Sequence, residues 1–226
     1  MKNIVITGIS TGIGYSATKT LLENQYRVFG SVRKQEDANR LKSDFGDKFI
    51  PLIFDVTDEE AIQKALEEVK EKLDGGRLIA LVNNSGIALG GPLQHTPTDV
   101  FRKQFEVNLF GLIEVTKTFL DLLIDSNKYK MKNKIINIGS ISGKRSYPFV
   151  APYTSSKHAL EGFTDSLRRE LMIHDVDVVL IQPGPIRTPI WDKVPDIDDN
   201  PFINTEYESA LRKFTKGYIA IGSKGL

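Results

Sequence analysis

Asn3-Ile4-Val5-Ile6-Thr7-Gly8-Ile9-Ser10-Thr11-Gly12-Ile13-Gly14 is the stretch that decides the fold. Residues 3–7 form a short β-branched run, the composition of a strand. Residues 8–14 are glycine-rich, and from residue 13 to residue 23 apolar positions return at helical spacing. A strand, a glycine-rich turn and a helix in that order suit a nucleotide phosphate. The glycines remove Cβ atoms from the path of the diphosphate, and the exposed N–H groups at the helix N-terminus attract its charge. The spacing is Gly-x-x-x-Gly-x-Gly rather than the commoner Gly-x-Gly-x-x-Gly, and a glycine-rich turn alone also serves plain packing.

Outward from that stretch the pattern repeats. Residues 27–32, 49–54, 78–82, 134–138 and 177–182 read as further strands, several of them apolar throughout rather than at every second position. Helical patterns lie between them: residues 36–45, a helix capped by Asp58 and running to residue 73, a long one over 98–124, and 151–174. This alternation predicts an α/β fold. The expected form is a doubly wound parallel sheet of the Rossmann type, strand order 3-2-1-4-5-6, in one domain over residues 1–226. Residues 189–226 are expected to supply a substrate loop and the carboxyl-terminal segment. Within them 193–204 reads as a loop, 205–216 as a helix, and 218–221 is too short to assign. Without a seventh strand, Val178-Val179-Leu180-Ile181 forms an apolar sheet edge of the kind proteins normally cover. The expectation is an incomplete carboxyl terminus, or a partner subunit over that edge.

With 40% hydrophobic and 26% charged residues and a formal net charge of +1, the chain carries no electrostatic footprint for nucleic acid. It has no cysteine, which excludes disulfides, thiolate metal sites and cysteine nucleophiles. His95, His158 and His174 lack metal-ligand spacing, so no metal is expected. No apolar run approaches the ~20 residues of a membrane span, and the first strand follows Met1-Lys2 too closely for a signal peptide. The expected protein is cytoplasmic, with a small-molecule substrate and no membrane or nucleic-acid partner.

The chemistry concentrates in Tyr153-Thr154-Ser155-Ser156-Lys157, read with Ser140 upstream. On a helix, positions four apart share a face, so the Tyr153 phenol and Lys157 ammonium point the same way. A fixed ammonium is expected to lower the phenol from its usual ~10 and make it a general acid/base. Ser140, ending the run Ile135-Ile136-Asn137-Ile138-Gly139, is placed to hold a carbonyl oxygen from the other side. By itself such a Tyr–Lys pair more often decorates a solvated face. The second strand ends in Val32-Arg33 where an acid would accept from ribose hydroxyls, so the cationic fork of Arg33 favours NADP over NAD. Asp55-Val56 closes the third strand near the adenine position, though Asp55 also suits the start of the next helix. Asn83-Asn84-Ser85-Gly86 closes the fourth. Asn108 lies mid-helix among apolar residues, where a buried amide needs partners. Pro183-Gly184-Pro185-Ile186-Arg187-Thr188 follows the sixth strand at the carboxyl edge.

These pieces in this order resemble the short-chain dehydrogenase/reductase family, over about residues 3–191. The resemblance implies an NADP-dependent oxidoreductase interconverting a secondary alcohol and a carbonyl. Ser140, Tyr153 and Lys157 would be the catalytic triad, and Asn108 a fourth member holding a water. Gly8, Gly12 and Gly14 would line the pyrophosphate and Asp55 the adenine, with Ser10, Thr11, Ile13, Arg33 and Val56 also among the cofactor-binding residues. Asn83, Ser85 and Gly86 would back the adenosine side, Thr188 would meet the nicotinamide carboxamide and Lys157 the nicotinamide ribose; Tyr153, Pro183, Gly184 and Ile186 would also bind the cofactor. Ser85 stands where the family usually has Ala. A looser likeness to the steroid- and retinol-type branch rests on residues 28–33 and 104–108. Leu89, Tyr147, Phe149, Pro185, Trp191 and Val194 would wall a hydrophobic substrate pocket. The family also implies a homo-oligomer, dimer or tetramer, with helices 98–124 and 151–174 as a dimer face. Two other readings remain: an epimerase or dehydratase with tightly held NAD, and a dinucleotide-sensing regulator that binds without turnover.

Overall fold

Runs such as Ile4-Val5-Ile6 and Val28-Phe29 can be buried only in a sheet covered on both sides, and the computed structural model places them there. It describes residues 2–124, 132–188 and 201–223. The elements in chain order are β1 (Lys2–Ile6), α1 (Gly12–Glu23), β2 (Arg27–Val32), α2 (Gln35–Phe45), β3 (Phe49–Ile53), α3 (Glu59–Leu73) and β4 (Arg77–Asn83). There follow α4 (Thr98–Phe105), a π turn (Glu106–Phe110), α5 (Gly111–Ile124), β5 (Lys134–Ile138), α6 (Ala151–Glu170), β6 (Asp177–Ile181) and α7 (Glu208–Ser223). All strand pairs are parallel and the order is β3-β2-β1-β4-β5-β6, as the sequence predicts.

Successive side chains of a strand point to opposite faces, so β1 feeds two cores at once. Ile4 and Ile6 join Val28, Ala38, Leu41 and Phe49 under α1 and α2. Val5 joins Phe29, Leu81, Ile62, Phe119 and Leu167 under α3, α5 and α6. Phe29, Phe49 and Phe119 are completely buried, each contributing on the order of 2 kcal/mol or more of hydrophobic stabilisation. The Asp58 carboxylate accepts from the Ala61 N–H at 3.0 Å and caps α3, as expected.

Three expectations are corrected. The single helix over 98–124 is interrupted by the π turn, in which the Gly111 N–H bonds to the Glu106 carbonyl five residues back. A Cβ on Gly111 would stand 2.7 Å from the Val56 carbonyl oxygen. The chain therefore has a glycine where α5 begins against the loop after β3. Second, the last helix begins at Glu208 rather than 205 and runs on to Ser223, so that residues 218–221 are helical backbone. Third, helix 151–174 is α-helical only to Glu170; Leu171–His174 tightens into a 3₁₀ turn. Among the described residues β6 is the edge of the sheet, with Val179 and Ile181 exposed.

Beside the carboxyl ends of β4 and β5 the interior is polar. The Asn83 amide donates to Thr116 Oγ1 and to Asn137 Oδ1, both at 2.9 Å, and Asn137 donates to Thr164 Oγ1 at 3.0 Å. These four side chains are buried and tie two strands to α5 and α6. Asn137→Ala leaves a buried donor of Asn83 without its acceptor, and is expected to cost about 1–3 kcal/mol in urea unfolding with the slope unchanged.

Candidate active site at the carboxyl edge of the sheet

The glycine-rich turn after β1 is shaped by close approach. Gly8 and Gly12 have φ of 68° and 62°, the left-handed region that favours glycine. A Cβ on Gly14 would lie 2.5 Å from both the Gly8 carbonyl and Asn84 Nδ2, so α1 packs against its own turn only without a side chain there. The turn is held from both flanks. The Gly8 N–H donates to Ser31 Oγ (3.0 Å) and the Ile9 N–H to the Ser31 carbonyl (3.0 Å). Asn84 Nδ2 donates to the Thr7 and Gly8 carbonyls (2.9 and 2.8 Å), while Thr7 Oγ1 accepts from the N–H groups of Asn84 and Ser85 (3.0 and 2.9 Å). Thr11 caps α1 in extended conformation with no side-chain capping bond. Ser10, Thr11 and Ile13 thus lie on the turn, and the turn's backbone N–H groups and bare Cα surface fit a diphosphate. Thr188, from the loop after β6, sits over the start of α1: a Cβ on Gly12 would be 3.3 Å from its Cβ. The Pro183 carbonyl of that loop accepts from the Ile141 N–H at 3.0 Å, tying Gly184 and Ile186 to the Ser140 side of the cleft.

At the end of β2, Arg33 is 69% exposed and its guanidinium lies 3.7 Å from Asp55. Asp55 also accepts from the N–H and hydroxyl of Thr57 (3.1 and 2.9 Å), which orders the turn ahead of α3, while the cap of that helix is Asp58. Two placements differ from expectation. Asn83 turns its amide into the core, and it is Asn84 that meets the turn. Val56 is buried against Gly111, so its side chain belongs to the core. Arg40 of α2, absent from the sequence reading, donates to the Ser10 carbonyl at 3.1 Å and to Asp37 at 2.9 Å. No local motif marks it; only the packing of α2 beside the turn brings it there.

The other half of the cleft is built by β5 and α6. Ser140 lies two residues beyond β5 at the start of a 3₁₀ turn; its Oγ accepts from the Ser142 N–H at 3.1 Å, and its hydroxyl stands near enough to the Tyr153 phenol to act on its titration. Lys157 is only 6% exposed; its Nζ donates to the Ile138 carbonyl at 2.8 Å and lies 5.9 Å from the centre of the Tyr153 ring. Burial raises the Tyr153 phenol above its usual 10.0, and the neighbouring Ser140 hydroxyl offsets only part of that rise. The expected lowering by Lys157 is therefore corrected. The ammonium is turned to a backbone carbonyl beside the ring, and desolvation outweighs the neighbours. The same burial lowers Lys157 from 10.5 to about 8.

Asn108 sits in the π turn with both amide hydrogens used and its oxygen engaged. Its Oδ1 accepts from the Ile87 N–H (2.9 Å), and its Nδ2 donates to the Ile87 carbonyl (3.0 Å) and Ser156 Oγ (3.2 Å). Gln104, one turn earlier and completely buried, accepts from the Leu89 N–H and donates to the Ile87 carbonyl, both at 2.7 Å. The four-residue spacing of Gln104 and Asn108 among apolar neighbours is the signal that would have revealed it. A Cβ on Gly86 would meet Asn108 Oδ1 at 3.4 Å, so the chain after Ser85 runs close along this pair.

Of the expected wall residues, Leu89, Tyr147, Phe149 and Pro185 are described, while Trp191 and Val194 lie outside the described residues. Phe149 has φ 63°, a strained value for a bulky side chain, and its carbonyl accepts from the Gly91 N–H at 2.7 Å. Its ring meets those of Tyr207 and Phe214 edge-on at 6.1 and 5.7 Å, and the Tyr207 hydroxyl bonds Gln94 at 3.1 Å. The segment leading into α7 therefore bridges the loops that follow β4 and β5.

The short chain dehydrogenase family matches residues 2–198. The NADPH-dependent 3-dehydrocapnine reductase of Ornithobacterium rhinotracheale is 43% identical over 226 residues, which is the whole of this chain and 80% of that protein. Estradiol 17-beta-dehydrogenase 2 of Rattus norvegicus is 35% identical over 204 residues, 85% of this chain and 52% of that one. Among solved structures, a short chain dehydrogenase from Burkholderia cenocepacia J2315 in complex with NADP superimposes with a TM-score of 0.74 at 31% identity, covering 86% of this chain and 76% of that one. The chain belongs to the short-chain dehydrogenase family and is an oxidoreductase of that class. No helix among the described residues is long and apolar enough to cross a membrane.

The depressed Lys157 makes stability depend on pH with a definite sign. Its folded value, about 8, lies below 10.5, so between these values the unfolded chain binds more protons than the folded one and folding strengthens as pH rises. Relative to Lys157→Met, wild-type stability is expected to rise from pH 8 toward pH 10 and to be flat below; parallel melting curves of the two across that range check it.

Proposed function

We propose that the protein is an NADP-dependent carbonyl reductase acting between a secondary alcohol and its ketone or aldehyde, with Tyr153 as general acid/base. The observation that carries the reading is buried Lys157 beside the Tyr153 ring, with Ser140 next to the phenol, at the same sheet edge as the glycine-rich turn. Bound NADPH supplies the hydride that reaches the carbonyl carbon. Ser140 and Tyr153 together hold the carbonyl oxygen, and Tyr153 gives it the proton that completes the alcohol. A phenol kept protonated by burial is the form that donates. Lys157 spends one N–H on Ile138 and has others for a ribose hydroxyl. Asn108, with both amide hydrogens committed to Ile87 and Ser156, is the fourth member of the site.

Arg33 would hold the 2′-phosphate of NADP, because its ion pair with Asp55 is long and exposed and a charge-assisted contact is stronger. The relatives named for NADPH and for 3-dehydrocapnine and estradiol support NADP and a ketone on a hydrophobic substrate. The aromatic residues Phe149, Tyr207 and Phe214, with Leu89, Tyr147 and Pro185, suit its apolar part. Residues 189–226 act as substrate loop and carboxyl-terminal segment of the single domain, and the enzyme works as a cytoplasmic homo-oligomer.

Two substitutions test the reading. Tyr153→Phe is expected to keep NADPH binding and lower kcat by about 10²–10⁴-fold on a ketone panel, since it removes the transferable proton and little volume. Near wild-type turnover would refute it. Arg33→Asp is expected to shift the ratio of kcat/KM values from NADPH toward NADH by at least about tenfold, because a carboxylate accepts from ribose and repels phosphate; an unchanged ratio would leave Arg33 a surface charge.

A further inference from the structure

Ser156 lies on α6 between Tyr153 and Lys157 and is completely buried. A serine inside a helix commonly donates to a carbonyl three or four residues back and needs no other partner. Here the hydroxyl does more. It donates to the Tyr153 carbonyl at 2.7 Å and accepts from Asn108 Nδ2 at 3.2 Å, across from another element. Helix geometry does not impose this, since Thr154 in the same turn keeps a buried hydroxyl with no hydrogen-bond partner.

The direction of every bond in this chain is fixed. Asn108 Oδ1 faces the Ile87 N–H, so its two amide hydrogens go to the Ile87 carbonyl and to Ser156 Oγ. A hydroxyl has one hydrogen, and with its lone pair engaged by Asn108 that hydrogen goes to the Tyr153 carbonyl. The same carbonyl is the helical acceptor, in α6's register, for the Lys157 N–H. One buried relay therefore joins the loop after β4, the π turn and the α6 turn bearing both Tyr153 and Lys157. A relay of fully satisfied buried groups holds its members to a single arrangement.

We propose that Ser156 is a positioning residue for the reaction: it transmits the anchorage of Asn108 to the Tyr153 turn and so keeps the phenol aimed at Ser140. The proposal rests on the reading of Tyr153 as the proton donor. Ser156 touches neither substrate nor cofactor, so its loss affects the aim of the phenol and not the binding of either. That separates it from a merely structural serine, whose removal lowers stability and leaves the kcat of folded enzyme alone.

The test compares Ser156→Ala, Ser156→Cys and Tyr153→Phe in one assay, with NADPH and the ketone that wild type reduces best. Ser156→Ala is expected to lower kcat by about ten- to a hundredfold while ketone KM and NADPH affinity stay within about twofold and cooperative unfolding is retained. Ser156→Cys keeps the size and a weak donor and recovers part of the loss. Wild-type kcat in Ser156→Ala, or a loss that only tracks the unfolded fraction, overturns the proposal. If Tyr153→Phe is inert while Ser156→Ala is normal, the relay fails and the reading of Tyr153 stands. If Tyr153→Phe is fully active, the reading fails, and the relay is decided by alkaline titration of the Tyr153 phenol, taken as the absorbance difference from Tyr153→Phe. A loosened turn admits water, so Ser156→Ala should move the midpoint down toward the ordinary tyrosine value; an unmoved midpoint overturns the relay.

Discussion

The cleft depends on the way the turn after β1 is bound to the turn after β4. Thr7 and Gly8 exchange four hydrogen bonds with Asn84 and Ser85, two from the Asn84 amide and two to the Thr7 hydroxyl. β1 and β4 are neighbours at the point where the strand order reverses, so their following segments leave toward opposite faces and open a crevice. Without a lock the two turns would be free to spread. With it, the bare backbone of Gly8, Gly12 and Gly14 is presented at one fixed width, and a Cβ at Gly8 would already be 2.8 Å from Ser85 Oγ.

On the other side of that crevice the chemistry is set by burial. Tyr153 and Lys157 move in opposite directions, phenol up and ammonium down, because removing water penalises the charged form of each. The effect keeps Tyr153 protonated and Lys157 close to its own titration at mildly alkaline pH. A protein that exposed this pair would lose the tuning while keeping the motif. Buried Asn108 and Gln104 meet the matching cost by taking every available backbone group of Ile87 and the Leu89 N–H, so the polar wall around the pair is satisfied from within. Asn83, whose Oδ1 has no hydrogen-bond partner, shows the same economy less completely.

At the outer end of the cleft electrostatics is looser. Arg33 and Asp55 are both solvated, and an exposed pair at 3.7 Å contributes little to stability. A weak contact of this kind is easily exchanged for a stronger partner. Substrate-side geometry is stiffer: Phe149 is held in a left-handed conformation by the Gly91 N–H and by rings from the segment around α7, so the two loops that flank Tyr153 are coupled to the carboxyl-terminal helix.

The sequence by itself determined the order of the strands and helices and the sheet topology, and it singled out Ser140, Tyr153, Lys157 and the three glycines as candidates, which the structure gathers at one edge of the sheet. It could do so because strand and helix periods are local, and because steric freedom at a glycine or a shared helix face at four-residue spacing is fixed by neighbours in the chain. The family resemblance then supplied the roles. Only the tertiary structure decided that Asn84 rather than Asn83 meets the turn, that the 98–124 helix opens into a π turn at Asn108, that Arg40 reaches Ser10, and that Ser156 links Asn108 to Tyr153. It also decided the direction of the Tyr153 shift. Each of these depends on groups brought together from distant parts of the chain: the side a strand's last residue faces, the close approach of Gly111 to Val56, and the total water excluded around a phenol. None of those quantities is carried by any window of residues, and all follow once the six strands are in register.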